Sequence, residues 1–589
     1  MSLTSRAFAF LQEQYRRILE QMREVAWLEQ VSPMLAMVQR VPQGAIAEAR
    51  VAGRQVSEYS GNGEGRLHDV LQREFRKANS RRKRGHNVRK GRDAMRFDTL
   101  EPRMLLSTLY WQGGSGTWDL TSTNHWNTAP DGSGSYVAFS NGDNAVIANG
   151  DDFTITMSSS ITTIYGNITF DLGPNSVTVS GLTLTGNLTW LSGEITLSST
   201  QISSGNGITL DGGNNTLSLD NATLVAPGWN VSWTSGNVSL ANGSQLIAED
   251  GDIYLDGGNN TMTLDNSSLI NHSTYYGISW TSGDIMLANG SQLVNYNSGY
   301  IYLDGGNNTL SMDNATITNV TGNGYSCYGL LWTGGNIVLA NDSHIDYHGT
   351  GHIQLNGGNN TLSLDDSTIS NDLSALYWSG GEIVITNGSS ITAANGLWLQ
   401  GGNNTLSLDD STLVAPSWNI SWTSGEISLT NGSAIISAAG DLQLDGGNNT
   451  MTLDNSSLIN HAAYYSIYWT SGDIVLANGS ELINVSTGYI WLDGGGNSLT
   501  LDNSSFHRDS YVQWSSGTIS LRNGAGIVKD ISSANQFVIP SSKTVTLDVE
   551  TGSTIQGSII NNGTLYWTGS DTSQLASIVN NGNGTIIVV

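Results

Sequence analysis

Four scarcities limit what this chain can be. Among 589 residues there is one cysteine, Cys327, so no internal disulfide framework exists and stability must come from packing and backbone hydrogen bonds. Proline is also rare, 8 residues, while glycine reaches 70 and apolar residues make up 38%. That combination excludes both a collagen-like helix and a disordered linker. No stretch approaches the roughly 18 consecutive apolar residues that a membrane-spanning helix needs. Positive charge nearly vanishes after residue 103, where only Arg508, Arg522, Lys529 and Lys543 stand against 38 Asp and Glu. Nucleic-acid affinity rests on Lys and Arg neutralising phosphates, so this acidic part is not a nucleic-acid binder.

Residues 1–103 are the opposite, with 20 Lys and Arg against 12 Asp and Glu, and the charge break alone sets a boundary there. In the leader, residues 1–93, the residues Phe8, Leu11, Tyr15, Ile18, Leu19, Met22 and Val25 recur at spacings of three and four, which predicts one apolar face of a helix. The rest of the leader, with its dense basic run Arg81–Arg92, reads as solvated and partly disordered. Membrane contact is expected only here, through attraction of basic residues to anionic lipid. No uninterrupted apolar stretch typical of a secretory signal occurs in residues 1–30.

Beyond a β cap at 108–165, residues 166–589 repeat. Trp190, Trp233, Trp280, Trp332, Trp378, Trp422, Trp469 and Trp514 recur, and between them falls Leu-Asp-Gly-Gly-Asn-Asn-Thr, as at Leu210–Thr216 and Leu255–Thr261. Each unit of about 46 residues contains two halves. A half holds three short segments of strict alternation, such as Ile253-Tyr254-Leu255, separated by Gly/Asn turns. Three short strands in about 23 residues make one coil of a parallel β-helix. The expected fold is therefore all-β, a parallel β-solenoid with right-handed winding. With about 17 coils rising roughly 4.8 Å each, it is a rod on the order of 80 Å long. Trp and Leu should alternate up one core column.

A second column is asparagine: Asn221, Asn242, Asn266, Asn289, Asn314, Asn341, Asn387, Asn431, Asn455, Asn478, Asn503 and Asn523, interrupted by Asp366 and Asp410. Asn tolerates turn conformations, and one amide per coil suits a stacked ladder bonded to the coils above and below. That role accounts for the many Asn-x-Ser/Thr triplets without glycans.

Gly-Gly-Asn-Asn-Thr-Leu-Ser-Leu-Asp resembles the nonapeptide of calcium-binding β-rolls, but Leu217, Met262 and Leu310 stand where the ligand Asp should be. Asp211, Asp256 and Asp304 recur only in alternate coils, about 10 Å apart, too far to share an ion. His344, Asp346, His348 and His352 form the one metal-like spacing, since positions i, i+2 and i+4 of a strand share a face. A solvent-facing polar turn is the competing reading. No cofactor is expected. The rival class is a β-helix enzyme acting on polysaccharides, either a lyase or a glycoside hydrolase. Asp365-Asp366 and Asp409-Asp410 are its candidate carboxylates, yet adjacent strand residues point to opposite faces and these pairs replace Asp-Asn of the repeat. An outward column bears more interest. Tyr254, Tyr302, Tyr377, Trp398, Tyr468 and Trp491 occupy the solvent side of the strand that carries Trp or Leu inside. Flat rings with polar tips suit contact with sugar rings or a partner surface.

Residues 97–107 read Phe-Asp-Thr-Leu-Glu-Pro-Arg-Met-Leu-Leu-Ser. Leu100, Glu101, Pro102, Arg103, Leu105 and Leu106 give the segment 94–107 its resemblance to the LEPR-XLL motif, a short tag of large, repeat-rich exported bacterial proteins. Tyr110-Trp111-Gln112-Gly113-Gly114, Gly116-Thr117-Trp118 and Asn124-His125-Trp126 resemble the opening of autotransporter-associated β-strand repeats. The resemblance implies a bacterial protein exported to the cell surface or extracellular space. The sequence expectation is a non-enzymatic structural rod or adhesin that contacts glycans or a cell-surface or matrix protein.

Overall fold

A computed structural model describes residues 107–589 except 113, 149–150, 160–162, 206, 274–276, 297–298, 321–327, 462–466, 486–487, 509 and 530–535. The leader, most of the LEPR-XLL-like segment, Cys327 and the insertion beginning at Thr321 lie outside the described residues. The chain from 166 onward is a parallel β-solenoid of about 18 turns, one more than the repeat spacing predicted.

Each coil contributes one long strand and one short strand. Long strands run from Ile168–Ser180 through Ile208–Asp220 and Val231–Ala241 to Val512–Arg522. Short strands run from Thr183–Thr185 to Gly526–Lys529. All stack in parallel on their counterparts one coil away, with unbroken core registers such as Ile208, Val231, Ile253 and Ile278. The long strand is two segments joined at a bend, where the inside–outside alternation skips and glycine such as Gly213 takes φ +65°. With the short strand this gives the three segments per coil that the alternation predicted. Ahead of the solenoid, Thr108–Trp111 pairs antiparallel with Trp126–Asn127, and Trp118, Trp126 and Phe139 pack edge to face over the first coils.

The Trp and Leu column is present, and glycine explains its alternation. Trp233 pairs with Leu210 on one side and Leu255 on the other. Its indole Nε1–H donates to the Gly236 carbonyl at 2.7 Å, and the ring reaches across two coils. A Cβ on Gly257, one coil on, would sit 2.2 Å from the ring, and one on Gly283, two coils on, 2.6 Å. The same relation recurs for Trp280, Trp332, Trp378, Trp422 and Trp469. An indole in every coil would collide with its neighbour, so the repeat is two coils long.

All twelve asparagines of the turn column hold left-handed φ between 47° and 56°, and Asp366 and Asp410 do the same. That conformation costs most L-residues about 1–2 kcal/mol and Asn less. The side-chain contacts differ from a self-pairing amide stack. Asn242, Asn289, Asn341 and Asn478 donate at 2.6–2.7 Å to Asp220, Asp265, Asp313 and Asp454 of the preceding coil. Asn387, Asn431 and Asn523 bond Asp365, Asp409 and Asp502 in the same way. The rungs are therefore Asn to Asp and occur in alternate coils, because the residue before the turn is Asp in one half-repeat and Ala, Thr or once Arg in the other. Stacked amides occur instead at the end of the short strands, where Asn271, Asn295, Asn319, Asn371, Asn460 and Asn484 are buried and Asn295 donates to Asn319 at 3.1 Å. The serine of Asn-Gly-Ser is also structural. Ser244 is buried, donates to the Ala241 carbonyl at 2.6 Å and accepts the Ala222 N–H at 3.1 Å.

Asn431→Ala is thus expected to cost about 1–2 kcal/mol in urea unfolding. Asn431→Gly loses the same Asp409 bond but relieves the backbone, and should cost measurably less. Equal losses would show that the turn conformation is not what the column selects.

Candidate functional site

The outward column lies on the first segment of the long strand, each member flanked by two buried residues. Its register is continuous: Tyr254 faces Ser279, then Tyr302, Leu331, Gln354, Tyr377, Trp398, Ser421, Gln443, Tyr468 and Trp491 in successive coils. Tyr254 and Trp491 are exposed, while Tyr302, Tyr377, Trp398 and Tyr468 are half-buried. Ser421 is buried despite pointing outward, lying beside the much larger Trp398.

The rings largely face one another. Tyr377 and Trp398 stack at 4.8 Å with planes 17° apart, and His352 meets Tyr377 edge-on at 5.2 Å. Tyr468 and Trp491 lie 4.8 Å apart, tilted by 54°, and Tyr489 stacks on Trp491. Two hydroxyls are tied back, Tyr254 to Asp252 at 2.5 Å and Tyr302 to Asp304 at 3.0 Å. Because adjacent strands are about 4.8 Å apart, rings stacked along the rod use their faces on each other and turn edges to solvent.

The histidine set is divided between elements. His344 and Asp346 are on the strand His344–Tyr347, His348 is in the turn, and His352 opens the next strand. Each bonds a different residue of the following coil: His344 to Thr368 at 2.7 Å, Asp346 to Ser370 at 2.8 Å, His348 to Asp372 at 2.7 Å and His352 to Ser374 at 2.7 Å. Burial holds His352 below the ordinary histidine pKa. Among the described residues no group of three or more His, Cys, Asp or Glu is arranged to hold a metal. His344, Asp346 and His348 alternate with the buried Ile345 and Tyr347 and so keep one outward side, as the spacing predicted, but each is bonded to a different partner and His352 lies on the next strand.

The candidate carboxylate residues serve the scaffold. Asp365 and Asp409 accept from Asn387 and Asn431, while Asp366 and Asp410 take the left-handed turn position. Asp211 and Asp256 each accept a serine hydroxyl from the next coil, Ser235 and Ser282. Two of the cations are also engaged. Arg522 bonds Asp548, which raises its pKa. Arg508 is buried over the Phe537 ring, donates to the Gln556 carbonyl at 2.9 Å, and has its pKa lowered by burial.

Strand alternation passed over the two most exposed tryptophans among the described residues, Trp229 at 61% and Trp418 at 53%. Both lie in the turn that leads from the short strand into the long one, beside the aromatic column. The signal available for them is a duplicated peptide, Thr-Leu-Val-Ala-Pro-x-Trp-Asn, at 223–230 and 412–419. Fold and surface together define the class: a regular parallel β-solenoid bearing an aromatic face. No protein family, curated protein or solved structure matches the chain.

Proposed function

We propose that this chain is a non-enzymatic, exported rod of the cell surface or extracellular space. It would contact glycans or a partner surface through the face that carries the aromatic column and the adjoining turns. The supporting observation is that the candidate carboxylate pairs are built into the scaffold. Asp365 and Asp409, the candidates for hydrolytic chemistry, are held by hydrogen bonds from the next coil, and their neighbours Asp366 and Asp410 serve as turn residues. Paired carboxylates in a glycosidase must instead flank a scissile bond with room for sugar and water. The resemblance of residues 94–107 and 110–126 to exported repeat proteins supports the location.

The test is to mix the full chain with a panel of acidic and neutral polysaccharides. Binding is followed by intrinsic fluorescence while the same samples are assayed for new reducing or unsaturated ends. Saturable binding without products is expected. Product formation would replace this reading with the carbohydrate-active enzyme.

A further inference from the structure

The duplicated peptide is part of a longer duplication. Residues 207–314 align without a gap to residues 396–503, a shift of 189 positions, and Leu255–His272 is identical to Leu444–His461. In the structure this shift equals eight coils, followed through Leu219, Leu240, Leu264, Leu287, Met312, Leu339, Leu364, Ile385 and Leu408. Trp229 and Trp418 therefore hold the same position of the coil twice, about 38 Å apart at roughly 4.8 Å per coil.

The two sites share a backbone construction, and at the second the column ring of Trp398 reaches the adjoining Gly396, where the first copy has Thr209. Pro227 and Pro416 fix the backbone two residues before each tryptophan. The coils on both sides place glycine against the turn. A Cβ on Gly251 would lie 2.3 Å from the Trp229 carbonyl carbon, and one on Gly440 2.1 Å from that of Trp418. On the other side, Gly207 and Gly396 approach Asn230 and Asn419 so closely that a Cβ would lie 2.6 Å from each carbonyl oxygen. No side chain from these positions overlies the indoles. In the same coils the column residue is small, Ser232 and Ser421. The adjacent amide is oriented alike in both copies: Asn230 Oδ1 accepts the Asp252 N–H at 2.9 Å, and Asn419 Oδ1 accepts the Asp441 N–H at 2.8 Å. Each amide thus has its oxygen engaged and its NH2 end left for donation.

We infer that Trp229 with Asn230 and Trp418 with Asn419 are two equivalent stacking sites for one linear, neutral polysaccharide chain, which engages both at once. The inference rests on the non-enzymatic reading above and assigns its ligand class. An open aromatic face matches the apolar face of a sugar ring, and the neighbouring amide can donate to a hydroxyl. Neutrality follows from charge, since residues 104–507 contain no Lys or Arg while carboxylates are abundant. A single ring set among glycines is far smaller than the roughly 800 Å² per partner of a stable protein interface. Two Trp-Asn pairs repeated at the same position of the coil suit a ligand that is itself periodic.

The experiment uses the full chain with insoluble cellulose, insoluble chitin and a soluble neutral β-glucan. It compares wild type with Trp229→Ala, Trp418→Ala, the double replacement, and Tyr377→Ser/Trp398→Ser. Both tryptophans are exposed, so thermal midpoints should be unchanged. Wild type should bind at least one of these polymers. Each single replacement should weaken that binding on the order of 10²-fold by removing the linked second contact, and the double should abolish it. A short oligosaccharide of the same sugar, unable to reach both sites, should show two sites in wild type and one in either single variant, with unchanged affinity. Failure of wild type to bind any neutral polymer overturns the inference. So does binding that survives the double replacement but falls with Tyr377→Ser/Trp398→Ser, and the rod reading then stands. Self-association abolished by the double replacement would assign the two sites to a second copy and overturn the glycan. New reducing ends with tryptophan-dependent binding would support the two sites while overturning the non-enzymatic reading.

Discussion

Trp332→Ala should lower stability by about 3–5 kcal/mol, the range for removing a fully buried aromatic side chain. Trp332 has no exposed surface, its Nε1–H donates to the Gly335 carbonyl at 2.8 Å, and its ring lies against Gly357 one coil on and Gly381 two coils on. Neither glycine has a side chain with which to refill the space, so the cavity would persist across two coils. In a solenoid each coil contacts mainly its neighbours, so a weak interface divides the cooperative unit instead of lowering all of it equally. Urea unfolding followed by far-UV circular dichroism should therefore become broader or biphasic, and limited proteolysis should gain a cut near residue 332. A single sharp transition shifted by less than about 1 kcal/mol would show that the neighbouring coils collapse onto the gap.

Much of this architecture is legible in the sequence because a strand alternates with period two and a solenoid repeats its coil. The Trp/Leu column, the three segments per coil and the left-handed turn column can all be read from spacing. Partners between coils cannot. Which residue lies above Asn242 depends on turn lengths that vary between the two half-repeats, so the amide's acceptor, Asp220, emerges only from the register. The same limit affects His344, Asp346, His348 and His352. Their spacing shows that His344, Asp346 and His348 share one side, but not that Thr368, Ser370 and Asp372 of the next coil take their bonds. Trp229 and Trp418 were hidden for a different reason. Turn residues obey no periodicity, and only comparison of the chain with itself over eight coils brings them together.

The second large effect concerns the glycine that each indole requires. Gly357→Ala places a Cβ 2.1 Å from Trp332 Cζ2, well inside contact distance, with Trp332 itself held by its bond to Gly335. Overpacking of this kind costs typically 1–3 kcal/mol and more where the neighbour cannot move. The cost should depend on the partner. In a Trp332→Leu background the core column carries the residue that alternate coils already use, such as Leu303 and Leu355, which flank Trp332 in register. The added methyl then enters space that the indole has vacated. Gly357→Ala should become nearly neutral or stabilising there, giving a coupling energy of about 1–3 kcal/mol in a double-mutant cycle. Additive losses would mean that Gly357 is needed for its backbone and not for the ring. The distinction is internal to the Gly-Gly pair. Gly358 takes φ +64° with nothing near its missing Cβ, whereas Gly357 has no such backbone demand and meets the indole directly. Gly358→Ala should therefore cost about 1 kcal/mol or more in either background, with no coupling to Trp332. One glycine of the pair serves the turn and the other serves the tryptophan, and that division is what sets the two-coil period of the rod.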